Sequence, residues 1–106
     1  MDKDRIGKII ERYTDALKSM GITPEGIILF GSHARGTARP DSDIDLVIIS
    51  PDFSEMNIRQ RLEILGLAAG KIMEPIGAIG ITPDEWKSGE APFFANEIAA
   101  DGVVVV

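Results

Sequence analysis

Asp43 and Asp45 stand one residue apart at the start of an apolar run, DIDLVII (43–49). Alternate residues of a strand point the same way, with Cα atoms about 6.6–6.8 Å apart. The two carboxylates therefore share a face, while Ile44, Leu46 and Ile48 take the other. Two acids held that close repel, and the repulsion is relieved by proton sharing, by water or by a cation. Magnesium suits such a pair, because it accepts one or two carboxylates and completes its shell with water and phosphate oxygens. Asp41 and Ser42 read as turn residues ahead of the strand. A calcium loop opening on Asp41, Asp43 and Asp45 fails: its sixth position is Leu46 where the sharp turn needs glycine, and the chain continues as strand.

Upstream, the sequence GSHARG begins where another apolar run, GIILF (26–30), ends. Gly31 and Ser32 give a sharp turn, exposed amides and a hydroxyl, all of which bind phosphate oxygens, more strongly if a helical turn begins there. Arg35 adds a permanently charged planar fork, and Gly36 lets the chain pass close by. His33 reads equally as a phosphate or base contact and as a solvated loop residue, and Arg39 as a solvated loop charge. Phosphate donors facing a carboxylate pair on the adjacent strand outline a site for a nucleoside triphosphate and its metal ion.

The elements that must hold this site follow from spacing. Ile6, Ile9, Ile10, Tyr13, Leu17 and Met20 fall on one face of an opening helix, which Gly21 caps and Pro24 ends. GIILF and DIDLVII are strands, the second stopped by Ser50-Pro51. Ser54 is the expected N-cap of a longer helix with Ile58, Leu62, Leu65, Ala69 and Ile72 inward, and with Gly66 and Gly70 placed for close packing. PIGAIGI (75–81) is a third strand whose glycines imply a bulge or a close approach. Thr82 caps a helix with Pro83 in its first turn. A last helix near 93–100 precedes VVVV, a short edge strand. Trp86 and the Phe93-Phe94 pair read as core or partner contacts. The order predicts an α+β fold, a small mixed sheet with helices packed mainly on one face.

Composition narrows the function classes. At 106 residues the chain is expected to be one domain, residues 1–106. With no cysteine and a single histidine, it offers no thiolate site and no multi-histidine zinc site. The charged opening MDKDRIGKIIERY lacks the apolar core of a secretory signal, and no apolar run is long enough to span a membrane. A soluble, cytoplasmic protein is expected. The net charge of −6, with the basic residues scattered, argues against extended nucleic-acid binding.

The Gly-Ser pair, ten intervening residues and Asp-x-Asp, GSHARG…SDIDL, resemble the signature of polymerase-β-like nucleotidyltransferases. The short length resembles the minimal nucleotidyltransferases, often encoded beside a helical HEPN-domain partner. The opening helix, RLEILGLAAGKIMEPI and ITPDEW fall where that family has its equivalents. The resemblance implies the polymerase-β-like fold, with Gly31, Ser32, Arg35 and Gly36 as nucleotide contacts and Asp43 and Asp45 as catalytic metal ligands. It also implies Mg²⁺, with Mn²⁺ as a substitute, and a nucleoside triphosphate, ATP being expected. One feature departs from the family. Its third carboxylate, in a pattern like Pro-Ile-Asp-Val, corresponds here to Gly77 in Pro75-Ile76-Gly77-Ala78. Glu74 should point away, and Asp84 and Glu85 fall past the strand. Two readings follow. One is an enzyme moving NMP, AMP first, onto an acceptor hydroxyl, the acceptor being a partner protein and the enzyme the antitoxin of a toxin–antitoxin pair. The other is a catalytically impaired binding module that masks a partner. A homo-oligomer fits either.

Overall fold

The opening helix, α1 (Lys3–Ser19), forms because its apolar residues recur on one face: Ile6, Ile9, Ile10, Tyr13 and Leu17 are all buried. The computed structural model describes residues 3–89 and 102–105, without the Lys3 side chain. Gly21, at φ 90°, ends the helical segment in the left-handed region, where the Gly21 and Ile22 amides donate to the Lys18 and Leu17 carbonyls. After α1 come β1 (Gly26–Phe30), a short helix α2 (Gly31–Arg35), β2 (Ile44–Ile49) and a 3₁₀ turn over Pro51–Phe53. Then follow α3 (Ile58–Ile72), β3 (Ile76–Ile81), α4 (Pro83–Ser88) and β4 (Val103–Val104).

The sheet runs in the order β3-β2-β1-β4, with β1 antiparallel to β2 and to β4, and β2 parallel to β3. A parallel neighbour needs a crossover, and α3 supplies it. Ile27, Leu29, Ile44, Leu46 and Ile48 pack with α1 and α3 into the main core. Ile28, Val47 and Ile81 form a smaller cluster on the other face, against which Trp86 of α4 packs. The α+β reading with a mixed sheet is therefore correct, and the helices α1 and α3 do lie together on one face.

Several expectations are corrected. The N-cap of α3 is Asn57, not Ser54: the Asn57 side chain accepts from the Gln60 amide and Gln60 returns the bond, a capping box. Ser54 instead ends the 3₁₀ turn that Ser50 and Pro51 begin. Leu65, Ala69 and Ile72 are buried as expected, and so are Arg61 and Ala68, whereas Ile58 and Leu62 are 42% and 45% exposed. Gly66 and Gly70 have no atom within 4 Å of an added Cβ, so close packing does not account for them. β3 is not bulged, since its register with β2 is continuous from Ile44↔Ile76 to Ile49↔Ile81. The close approach is real at Gly80, where a Cβ would meet the Phe53 ring at 2.8 Å. The helix expected near 93–100, with Phe93 and Phe94, lies outside the described residues. β4 sits at the sheet edge, as VVVV suggested.

Candidate functional site

Antiparallel pairing places Phe30 opposite Asp45, so the bend that follows β1 lies beside the head of β2. Gly31 adopts φ 73°, turning the chain directly from β1 into α2. The Asp45 carboxylate occupies the space that a Gly31 side chain would need: an added Cβ would collide with Oδ2. Glycine is required at 31 twice over, by backbone conformation and by this cradle. The bend and the acid that spacing brought together are thus in contact.

The start of α2 has free hydrogen-bonding capacity. Phe30 is its N-cap and contributes no side-chain bond to the first-turn amides. Such amides have no partner within a helix and suit an anion. The Ser32 side chain is half-buried and donates to no other described residue. Gly36 closes α2 in the left-handed region at φ 74°, and both its amide and that of Thr37 donate to the Ser32 carbonyl. Nothing approaches a Cβ placed on Gly36, so its glycine serves the cap rather than a close passage. Beyond it, Ser42 braces the loop by accepting from the Arg39 amide at 2.8 Å.

Electrostatics centre on Asp45. Burial pushes its carboxyl above the ordinary aspartate range, the charge of Asp43 pushes it further, and His33 and Arg35 pull it back. Removal from water outweighs the nearby cations, and a divalent ion would reverse that balance. His33 does not sit in solvent. Its Nε2 lies 3.2 Å from the Ser42 carbonyl, which can only accept, so Nε2 carries the proton. Its Nδ1 is buried without a protein partner among the described residues. His33 ties α2 to the loop before β2, a bracing role that its position in the sequence does not signal.

Position 77 is the one that the resemblance sets against a third acid. Gly77 pairs with Asp45 in register, and a Cβ on it would lie 3.3 Å from Asp45 Oδ1. The neighbouring acids are engaged elsewhere. Glu74 faces α1, 3.3 Å from Arg12 and 3.7 Å from Arg5. Glu85 pairs with the buried Arg61 at 2.7 Å and closes the Thr82 capping box. Among the described residues no three acids or histidines gather as a metal cluster. Arg61 is the residue that sequence reasoning missed, since nothing near it in the chain announces a partner at position 85. A groove of about 960 Å³ lies on the helix side, between α1, α2 and β4, with Ile10, Leu29, Arg35 and Val103 in its wall. Asp43 and Asp45 do not line it.

A family model described as nucleotidyltransferase domain matches residues 10–101. The chain belongs to the nucleotidyltransferase domain family. This nucleotidyltransferase domain is 37% identical over 59 residues to a protein of Methanocaldococcus jannaschii assigned as a protein adenylyltransferase. That match covers 55% of this chain and 40% of the relative, so it spans less than half of the relative's length. Among solved structures, a protein from Sulfolobus solfataricus described as a nucleotidyltransferase superposes with a TM-score of 0.64 at 23% identity. The superposition covers 94% of this chain and 78% of that one. A toxin–antitoxin structure with AMP-PNP gives 0.51, also at 23% identity, over 70% of this chain and 56% of that one. Both likenesses concern the fold. Among the described residues, no helix of the domain is long and apolar enough to cross a membrane.

Proposed function

We propose that this domain transfers a nucleoside monophosphate, AMP first, from its triphosphate to a hydroxyl on a partner protein, in the manner of an antitoxin acting on its toxin. The observation that carries the reading is the contact between the Gly31 bend and Asp45, which sets phosphate donors against a carboxylate pair. The donor set fits magnesium, or manganese in its place. It offers the Asp45 carboxylate, Asp43 near enough to raise its pKa, and a glycine cradle that keeps Asp45 close to the bend. Neither acid is held by an ion pair with another described residue. A divalent ion bound at Asp43 and Asp45 would supply charge neutralisation for the phosphates. The α2 amides, the Ser32 hydroxyl and Arg35 would orient the triphosphate, with Gly36 fixing the end of that turn. In the transfer the acceptor oxygen bonds to the α-phosphorus, and the bond from that phosphorus to the bridging oxygen breaks. Pyrophosphate carries away the electron pair, and the hydroxyl proton passes to water. The relative assigned as a protein adenylyltransferase supports a protein acceptor, and a HEPN-type helical partner suits the minimal size.

The test is incubation with labelled ATP, Mg²⁺ and the product of the neighbouring gene. Label should appear on that protein and disappear when Asp43 and Asp45 are both changed to Asn. Label persisting in the double variant places the chemistry elsewhere. Gly77 favours a second reading, a domain that masks its partner without transfer. In that case inhibition of the partner survives the double change and no label moves.

A further inference from the structure

The glycine at position 77 is not explained by the fold. Its backbone is outside the left-handed region, it is exposed, and the only atom near an added Cβ is Asp45 Oδ1. Among the described residues, β3, which carries it, is an edge strand paired only with β2. In a parallel ladder, alternate residues turn their N–H and C=O groups to opposite sides. The Pro75 and Ile81 carbonyls accept from the Ile44 and Ser50 amides of the β2 segment, so 75, 77, 79 and 81 face inward. Residues 76, 78 and 80 therefore face out from the sheet.

That outer edge is closed at one end and open at the other. The Gly80 carbonyl accepts from Arg61 at 3.2 Å, and Gly80 is buried against Phe53. The Ile76 amide turns back to the Glu74 carbonyl. Among the described residues, nothing pairs with the Ile76 carbonyl or with the Ala78 N–H and C=O. The open stretch is thus the part of the edge level with Asp45. It also lacks the usual defences of an edge, since Ile76–Ile81 contains no charge and no proline.

We propose that this edge docks an extended segment of the acceptor polypeptide as a fifth strand, presenting its hydroxyl across Gly77 toward Asp45. The proposal rests on the transfer reading above and names its substrate class. Donors and acceptors spaced along a strand edge are matched by another backbone. Nucleic acid offers no such ladder, and the chain's net charge of −6 opposes it. An added strand lies about 4.8 Å beyond β3, hence about 9.6 Å from β2. Its residue level with Gly77 projects to the Asp45 face with no intervening side chain. That gap accommodates an acceptor side chain and the α-phosphorus it attacks, the leaving group and proton departing as described above.

The experiment uses the full chain, Mg²⁺, labelled ATP and a mixture of random twelve-residue peptides, each with one Ser, Thr or Tyr. Ala78→Pro removes the outward N–H while leaving the bonds to β2 untouched, a place where edge strands tolerate proline. Ala78→Gly keeps that N–H and serves as the control. We expect Ala78→Pro to lower peptide labelling at least about tenfold and Ala78→Gly to stay within about threefold. Binding of a fluorescent ATP analogue should be unchanged in both. In the unaltered chain, the best-labelled peptide should slow hydrogen exchange at the Ala78 amide, a readout that needs no variant to fold. The proposal is overturned by an absence of labelled peptides, by equal labelling in Ala78→Pro, or by an unprotected Ala78 amide. Protection that appears without peptide and grows with protein concentration overturns it in favour of a second copy of the chain. Loss of analogue binding by the unaltered chain would instead sink the nucleotide reading itself.

Discussion

At the residue scale, Asp45 is held where its charge is costly. Burial and the Asp43 charge both raise its pKa, and the Gly31 cradle fixes it there. A group whose folded pKa lies above its unfolded value contributes stability that is full below the unfolded pKa and lost as pH rises through the folded one. Asp45→Asn should therefore raise the melting temperature near pH 7 without added metal, and the gain should vanish below the ordinary aspartate range. Thermal scans at several pH values check this, and a variant less stable than the parent at pH 7 would refute it. Sites that trade stability for function behave in this way. The nearness of the two acids agrees with the spacing, although β2 begins at Ile44 and Asp43 stands just before it. The cradle was not legible. Gly31 read as a turn residue, and only the pairing of β1 with β2 shows that its missing side chain makes room for Asp45.

At the scale of elements, α3, β3 and α4 are tied by one side chain. Arg61 is 6% exposed and reaches both Glu85 oxygens, the Gly80 carbonyl and the Met56 carbonyl, with its guanidinium 5.8 Å from the Phe53 ring centroid. Burial alone would raise the Glu85 pKa, but hydrogen bonds from Arg61 and Thr82 outweigh it and hold the carboxyl below its ordinary range. Such a group stabilises above its unfolded pKa and loses that contribution as pH falls through the folded value. Glu85→Ala should cost about 2–3 kcal/mol at pH 7, below the range for a fully buried pair because Glu85 is partly exposed. Denaturant melts should show the gap to the parent narrowing below about pH 4. A gap independent of pH would mean that the charge pair is not its source. Local signals gave α1, β1, β2 and the Thr82-Pro83 start of α4, all set by periodicity or capping chemistry. They misplaced the start of α3, although the Asn57-x-x-Gln60 box was there to be read, because Ser54 offered an earlier cap. The Arg61–Glu85 pair spans residues far apart in the chain, and no local pattern encodes it.

At the scale of the whole molecule, Asp45 and the groove between α1, α2 and β4 lie on opposite faces of the sheet. The short helix α2 borders both, since Arg35 and Gly36 line the groove with Leu29 and Val103, whereas Asp43 and Asp45 do not. Strand order explains the separation. β1 and β2 bring the Gly31 bend to the acids, while β4 pairs along the far side of β1. That order was not legible in the sequence, since neither the parallel partner of β2 nor the return of VVVV to β1 follows from spacing. The central claim is that the divalent ion and the triphosphate gather at the Gly31 bend and not in the groove. NMR spectra of the full chain with a non-hydrolysable ATP analogue and sub-stoichiometric Mn²⁺ test this directly, because the ion broadens nearby amides. Signals of Gly31, Ser32, Asp43, Asp45 and Gly77 should disappear first, while those of Gly7, Glu11 and Val103 persist. Broadening centred on the groove residues, or spread evenly over the chain, would contradict the account.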